Sequence, residues 1–314
     1  MFAARGLLLS LAVFTLVYAV ASAMVACCWK FAARRWRSLN AASQADQLIV
    51  LRMLPLAAAA LVTALFTVPS FVMFEPRGGD EEIGAISFVL GFCGLALLAA
   101  GLWRAVAALL KATQAMAVCM RDARVDGSGE VPVLRIAGVK PTLMAAGIAR
   151  PKVLLSETAE FLLTPRELQT ALRHEVGHIR RRDNFKKLVL CAVAFPGMTK
   201  LEARWREMSE MAADDAAVAS ESEALDLAAA LIKLSRLVAM QPPPILMTGL
   251  LHGPAACLNA RVERLLGWHE SPPATSGGSW WQGLAAGLAV AVGFALGYSQ
   301  MLVHVHTATE WLVR

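Results

Sequence analysis

Three residues close together in this chain have the types and spacing for hydrolytic chemistry: His174, Glu175 and His178, within HEVGH. On an α-helix, residues four apart share a face, so both imidazoles can reach one cation. The acid beside the first can then take a proton from a water held at that cation. Further on, Glu210 and Asp214 repeat the four-residue spacing. A carboxylate from a later helix is a common third ligand to zinc and leaves the fourth position to water. The candidate site is therefore one Zn²⁺ held by His174, His178 and Glu210. Glu175 is the general base, and Asp214 is placed to accept an N–H from a ligating imidazole. A solvated acidic helix is the plainer reading of 210–214, since Glu207, Asp215 and Glu221 lie nearby.

Weaker candidates surround this set. His252 and Arg182 could assist the chemistry, and Asp183 could brace the motif helix through an arginine. Each also reads as an ordinary surface or structural residue. The two tyrosines, Tyr18 and Tyr298, fall in apolar runs and offer no oxyanion donor.

The elements that must position these side chains are legible nearby. Thr164 is an N-cap, Pro165 suits the first helical position, and Glu167 completes a capping box. Leu168, Leu172, Val176 and Ile179 recur at helical spacing, which predicts a buried face. A helix over about 200–219 carries Glu210, another runs over about 223–240, and a last amphipathic helix runs over 255–266. Short strands are expected at 131–136, 144–148 and 153–156, between turn residues. One of the last two strands is expected to be an edge that a substrate joins as an added strand. The apolar stretch 188–195 is too short to span a bilayer; it is core or rests on the membrane.

The whole chain has 57% hydrophobic and only 17% charged residues over 314 positions, which points to a membrane protein. Uncharged runs at 6–29, 53–74, 83–103 and 280–303 are each long enough to cross as a helix. The first is too long for a signal peptide and lacks a small-residue cleavage site. The segment 30–52 holds five basic residues against one acid, and 75–82 holds four acids against one arginine. By the positive-inside tendency the former is a cytoplasmic loop and both termini are outside. The three first spans and this loop make up 1–110. A cytoplasmic domain follows over 111–270, its start a polar stalk continuing the third helix to about 124. A linker at 271–279 leads to the fourth span, and 304–314 form a short outside tail.

Several functions are disfavoured. No run carries a charge in its middle, which argues against an ion pathway. The net charge of +6 comes mostly from residues beside the spans, so it does not suggest direct nucleic-acid binding. Arg180, Arg181 and Arg182 with Lys186 and Lys187 read as a headgroup-facing or solvated stretch. The six cysteines include no Cys-x-x-Cys pair, so no thiolate zinc site is expected. His304 and His306 read as part of a frayed tail.

The layout of three spans, HExxH, ExxxD and a fourth span resembles the BlaR/MecR-type antirepressor metallopeptidases of bacteria. The resemblance extends to GIARPKVLLS at 147–156, LTPREL at 163–168, HEVGHIRRRDN at 174–184 and EMAADDA at 210–216. It implies an α-helical membrane protein with four transmembrane helices and a cytoplasmic α+β domain. That domain would be a gluzincin-type zinc peptidase, with a small β-sheet beside the HExxH and ExxxD helices. It further implies a bacterial plasma-membrane location and a protein substrate, a cytoplasmic repressor or the chain itself. A homodimer is compatible with it. Eleven residues follow the fourth span, with no penicillin-binding domain, so a short form without that sensor is expected. HtpX-like quality-control proteases share both motifs, but place spans between HExxH and the third ligand. A zinc-stabilised signalling scaffold that does not cleave is the non-enzymatic alternative.

Overall fold

The computed structural model describes residues 2–75, 84–121, 123–126, 131–137, 142–193, 195–237, 247–249, 255–268, 298 and 300–309. His252, the linker 271–279 and the expected fourth span up to residue 297 lie outside these. The described chain is mostly helical and divides into two compact units.

The first unit comprises Met1–Trp29, Leu51–Ala100 and Pro273–Arg314. Its apolar helices belong to three candidate spans, Phe2–Ser38, Ala41–Phe74 and Ala85–Met120. Helix α1 covers Phe2–Arg35. Helix α2, Ala41–Val62, continues through a π-helical turn at Thr63–Thr67 into α3, Val68–Phe74. Helix α4 covers Ala85–Met120. With no water to reward burial in lipid, such helices associate through close packing of small residues. At Gly91 a Cβ would come within 2.6 Å of Leu8, so only glycine lets α4 approach α1 there. Most of the segment expected as a basic loop is helical, because α1 runs on to Arg35 and α2 begins at Ala41. Residues 300–309 are helical rather than frayed, and the His306 ring lies 5.5 Å from that of Phe74.

The second unit comprises Lys30–Val50 and Gly101–Pro272. Its sheet has five strands: β1 Arg124–Asp126, β2 Val133–Ile136, β3 Leu143–Ala146, β4 Lys152–Ser156 and β5 Met247–Gly249. Their order is β1-β2-β4-β3-β5, with β2 and β4 parallel and the other pairs antiparallel. Four consecutive buried residues on β4, Val153–Ser156, mark a strand covered on both faces. Val153 and Leu155 join the main helical core, while Leu154 joins Leu134 and Ala146 against Ala115, Met116 and Cys119 of α4. The expected stalk thus packs on the sheet by one face, and it stops at Met120 because β1 follows.

Neither strand expected as a free edge is one. β4 lies between β2 and β3, and β3 is covered by β5 with Met144 opposite Gly249. The helices are α5 Glu157–Leu162, α6 Pro165–Arg180, α7 Asp183–Ala192, α8 Thr199–Ala217, α9 Glu221–Leu237 and α10 Ala255–Leu266. The apolar stretch 188–195, expected as core or as resting on the membrane, is largely the end of α7, with Leu188 and Cys191 packed on Ala108 and Ala112.

Candidate metal centre

Helix α6 starts as its sequence requires. The Thr164 hydroxyl accepts from the Glu167 N–H at 3.3 Å, and Glu167 Oε2 accepts from the Thr164 N–H at 2.8 Å. Lys233 of α9 then donates to both Glu167 oxygens, at 2.8 and 2.7 Å. The predicted apolar stripe packs on the core through Leu168, Leu172 and Ile179, but these remain partly exposed. The fully buried face carries the chemistry: His174 and Glu175 are 0% exposed and His178 is 1%. Sheet, α7 and α8 close over that face.

Helix α8 crosses α6 at Gly177, inside the motif. A Cβ there would already touch Ala213 and Ala216 at 3.5 Å, so a larger side chain would push α8 away. This close crossing brings Glu210, on α8, to the imidazole pair. Ligand atoms of His174, His178 and Glu210 all lie within 4.8 Å of one another. The two Nε2 atoms are 3.1 Å apart, and Glu210 oxygens lie 3.6 Å from His174 Nε2 and 3.7 Å from His178 Nε2. Ligands at about 2.0–2.1 Å around a tetrahedral ion are separated by about 3.3 Å, so the donor set fits one.

Carboxylates hold the far side of each ring. His178 Nδ1 donates to Asp183 Oδ2 at 2.7 Å, and His174 Nδ1 lies 3.0 Å from Asp214 Oδ1. With Nδ1 engaged, Nε2 of each ring is left to face the centre. Asp183 is fully buried and also accepts from the Ser209 hydroxyl at 2.7 Å. It therefore braces the motif helix through an imidazole, and its other oxygen pairs with Arg181 Nε at 3.7 Å, the arginine contact that the sequence allowed.

Arg261 was not among the sequence-derived candidates. It rises from α10, is 1% exposed, and gives Asp214 two hydrogen bonds at 2.8 and 2.7 Å. A third reaches Glu210 Oε2 at 3.0 Å. Its signal in sequence was only an arginine inside an amphipathic helix. Asn184 was also missed; its amide donates to the Ala145 and Gly147 carbonyls, both at 3.2 Å, and ties α7 to the end of β3. Of the weaker candidates, Arg182 is exposed and shares no hydrogen bond with the cluster among the described residues.

Electrostatics follow from burial and pairing. Burial pushes the Glu175 carboxyl up to about 7, against the lowering influence of both imidazoles. One Glu175 oxygen accepts the Ala145 N–H at 2.7 Å. The other is buried without a partner, the state of a group whose partner is a small molecule or ion. Burial disfavours charge on His178, yet Glu210 and Asp183 outweigh it and raise that imidazole to about 9. Burial opposes charge on Glu210 also, but His178, His174 and Arg261 hold it well below the usual carboxylate range. Asp214 is held at about 2, where Arg261 and His174 outweigh its burial.

A scan against protein-family models finds no family that matches the chain. A search of the curated proteins finds no match either.

Proposed function

We propose that the chain is a membrane-bound zinc-dependent endopeptidase that cleaves a cytoplasmic transcriptional regulator, or itself, in signal transduction. The observation that carries this reading is the Glu175 carboxyl. It is buried beside two imidazoles and a carboxylate, anchored by one oxygen, with the other oxygen unpartnered. A purely structural site has no use for such a base.

His174, His178 and Glu210 would hold the ion. When bound, zinc supplies a Lewis acid that polarises the scissile carbonyl and makes water a better nucleophile at neutral pH. Glu175 Oε1 takes the proton of the attacking water and delivers it to the leaving amine, while the Ala145 N–H fixes the opposite oxygen. Asp183 and Asp214 hold the imidazoles in the tautomer that presents Nε2.

Three apolar helices long enough to cross a membrane support a membrane location. The motifs shared with BlaR/MecR-type antirepressor peptidases support a bacterial plasma membrane, a cytoplasmic catalytic domain and a repressor substrate. Among the described residues no candidate span lies between His178 and Glu210, which favours this over an HtpX-like quality-control role. The depth of the ligands, 0–5% exposed, is the observation that favours a non-catalytic zinc scaffold.

The deciding experiment compares N-terminal peptides from cells carrying the wild type and Glu175→Gln. Peptides that vanish with the mutation are expected, and they name the substrate. A phenotype that survives Glu175→Gln with an unchanged peptide set would establish the scaffold instead.

A further inference from the structure

A cleft of about 450 Å³ opens beside the metal centre, with His178 in its wall. One side is the turn from β3 to β4, including Ile148 and Pro151; the other is the corner between α6 and α7, with Ile179, Arg182 and Phe185. Its size falls in the range of about 300–1,000 Å³ typical of ligand pockets. Most of the lining is apolar, and the Phe185 ring is 50% exposed.

Two cations mark the mouth. Arg182 lines the cleft, and Arg150 sits in the opposite turn between two lining residues, Ala149 and Pro151. Both are exposed, and neither forms an ion pair among the described residues. Their neighbours differ: Lys186 Nζ is 2.8 Å from Asp46 and Arg181 is 3.7 Å from it. Arg182 is also the one non-glycine among the described residues with positive φ, at 54°. A left-handed residue just past a helix end is a common stop, and here it turns the chain from α6 into α7 and so fixes where the Arg182 side chain starts.

We infer that this cleft is a substrate subsite that takes a bulky apolar side chain next to the scissile bond, with a nearby substrate carboxylate received by Arg182 and Arg150. The inference rests on the peptidase reading for the identity of its ligand. An apolar side chain gains by leaving water for Ile148, Pro151, Ile179 and Phe185. A guanidinium receives a carboxylate with two parallel hydrogen bonds, from an acidic side chain or from a free C-terminus.

The test uses the full chain in detergent, loaded with zinc and carrying Glu175→Gln to stop turnover. Binding of fluorescein-labelled decapeptides is read by anisotropy. One peptide carries Phe and Glu, one Phe alone, one Ala with Glu, and one Phe with a free C-terminal carboxylate as its only acid; the rest are amidated. The Phe–Glu peptide is expected to bind about tenfold more tightly than either peptide lacking one feature. The free-carboxylate peptide decides which source of charge the arginines accept. Arg182→Gly, which suits the positive φ, should bring the Phe–Glu peptide's affinity down about tenfold, to that of the Phe-only peptide on the same variant; Arg150→Ala should lower it less. Zinc content and melting temperature check that both variants are folded. Equal affinity for acidic and neutral peptides, an unchanged preference in both variants, or no binding of any peptide overturns the subsite. Incubating the best-bound peptide with the Glu175-intact chain separates the two readings. Selective binding without cleavage sinks the peptidase and leaves an acid-selective peptide cleft; cleavage without acid preference keeps the peptidase and sinks the cleft's role.

Discussion

Arg261 grips Asp214 with two nitrogens, at 2.8 and 2.7 Å, in a place where neither side chain is more than 1% exposed. The same guanidinium reaches Glu210, so α10 neutralises two acids that α8 brings into the protein interior. Removing one partner of such a cluster leaves the others buried and uncompensated, at about 3–5 kcal/mol. Arg261→Met is expected to lower the melting temperature of the detergent-purified chain and its zinc content together. Arg261→Lys, which keeps the charge but loses the two-nitrogen geometry, should fall between. Calorimetry with metal analysis of the same samples checks this.

Asp183 makes a second prediction. It holds His178 at 2.7 Å and is itself held by Ser209. Replacing a partner of this kind usually costs a metal site about 10–100-fold in affinity. Asp183→Asn should do so, and Ser209→Ala should have a smaller effect. Competition with a zinc chelator measures both. A surface acid would show no change.

Gly177 separates size from chemistry. The 3.5 Å contacts at its hypothetical Cβ are ordinary van der Waals distances, so Gly177→Ala should keep its zinc. Gly177→Leu must shift α8 and carry Glu210 off the imidazoles. Loss of zinc in the leucine variant, with retention in the alanine variant, is the expected pattern in metal analysis.

The titrating groups predict opposite trends for metal-free and metal-loaded protein. His178 rises from 6.5 to about 9 on folding, so its contribution is complete below 6.5 and lost as pH rises through 9. Glu175, raised from 4.5 to about 7, acts in the same direction over 4.5–7. Asp214, lowered from 3.8 to about 2, contributes above 3.8 and loses that contribution as pH falls through 2, a change of about 2 kcal/mol. In chelator, the melting temperature should therefore decline between pH 6 and 9. Zinc affinity should rise over the same interval, with protons released at pH 7 as the His178 and His174 imidazoles become neutral ligands. Titration calorimetry in buffers of different ionisation enthalpy counts the protons.

The legible part of the site was local. His174 and His178, like Glu210 and Asp214, announce themselves by four-residue spacing, and Thr164 with Glu167 announces the start of α6. What sequence could not supply was closure from a distance. Asp183 looks like any acid after three arginines until α7 folds back and buries it. Arg261 enters from far along the chain, and nothing local says that an arginine there turns inward. The strands β1 and β5 are three residues each, too short for any alternation to show, and β5 takes the edge of β3 that a substrate strand was expected to use. The apolar stripe of α6 located the core but not the more deeply buried face, because polar residues filled that face.

Asp46 belongs to α2, whose remaining turns run on into an apolar stretch fit for lipid. It touches Lys186 at 2.8 Å and Arg181 at 3.7 Å, the two cations that flank Asp183, and Asp183 in turn steers His178. A half-exposed ion pair carries at most about 1 kcal/mol, roughly a fivefold change in an equilibrium constant. Loss of the Asp46 carboxylate would thus reach one imidazole only as a gentle bias on its aim, enough to retune the centre and too little to dismantle it.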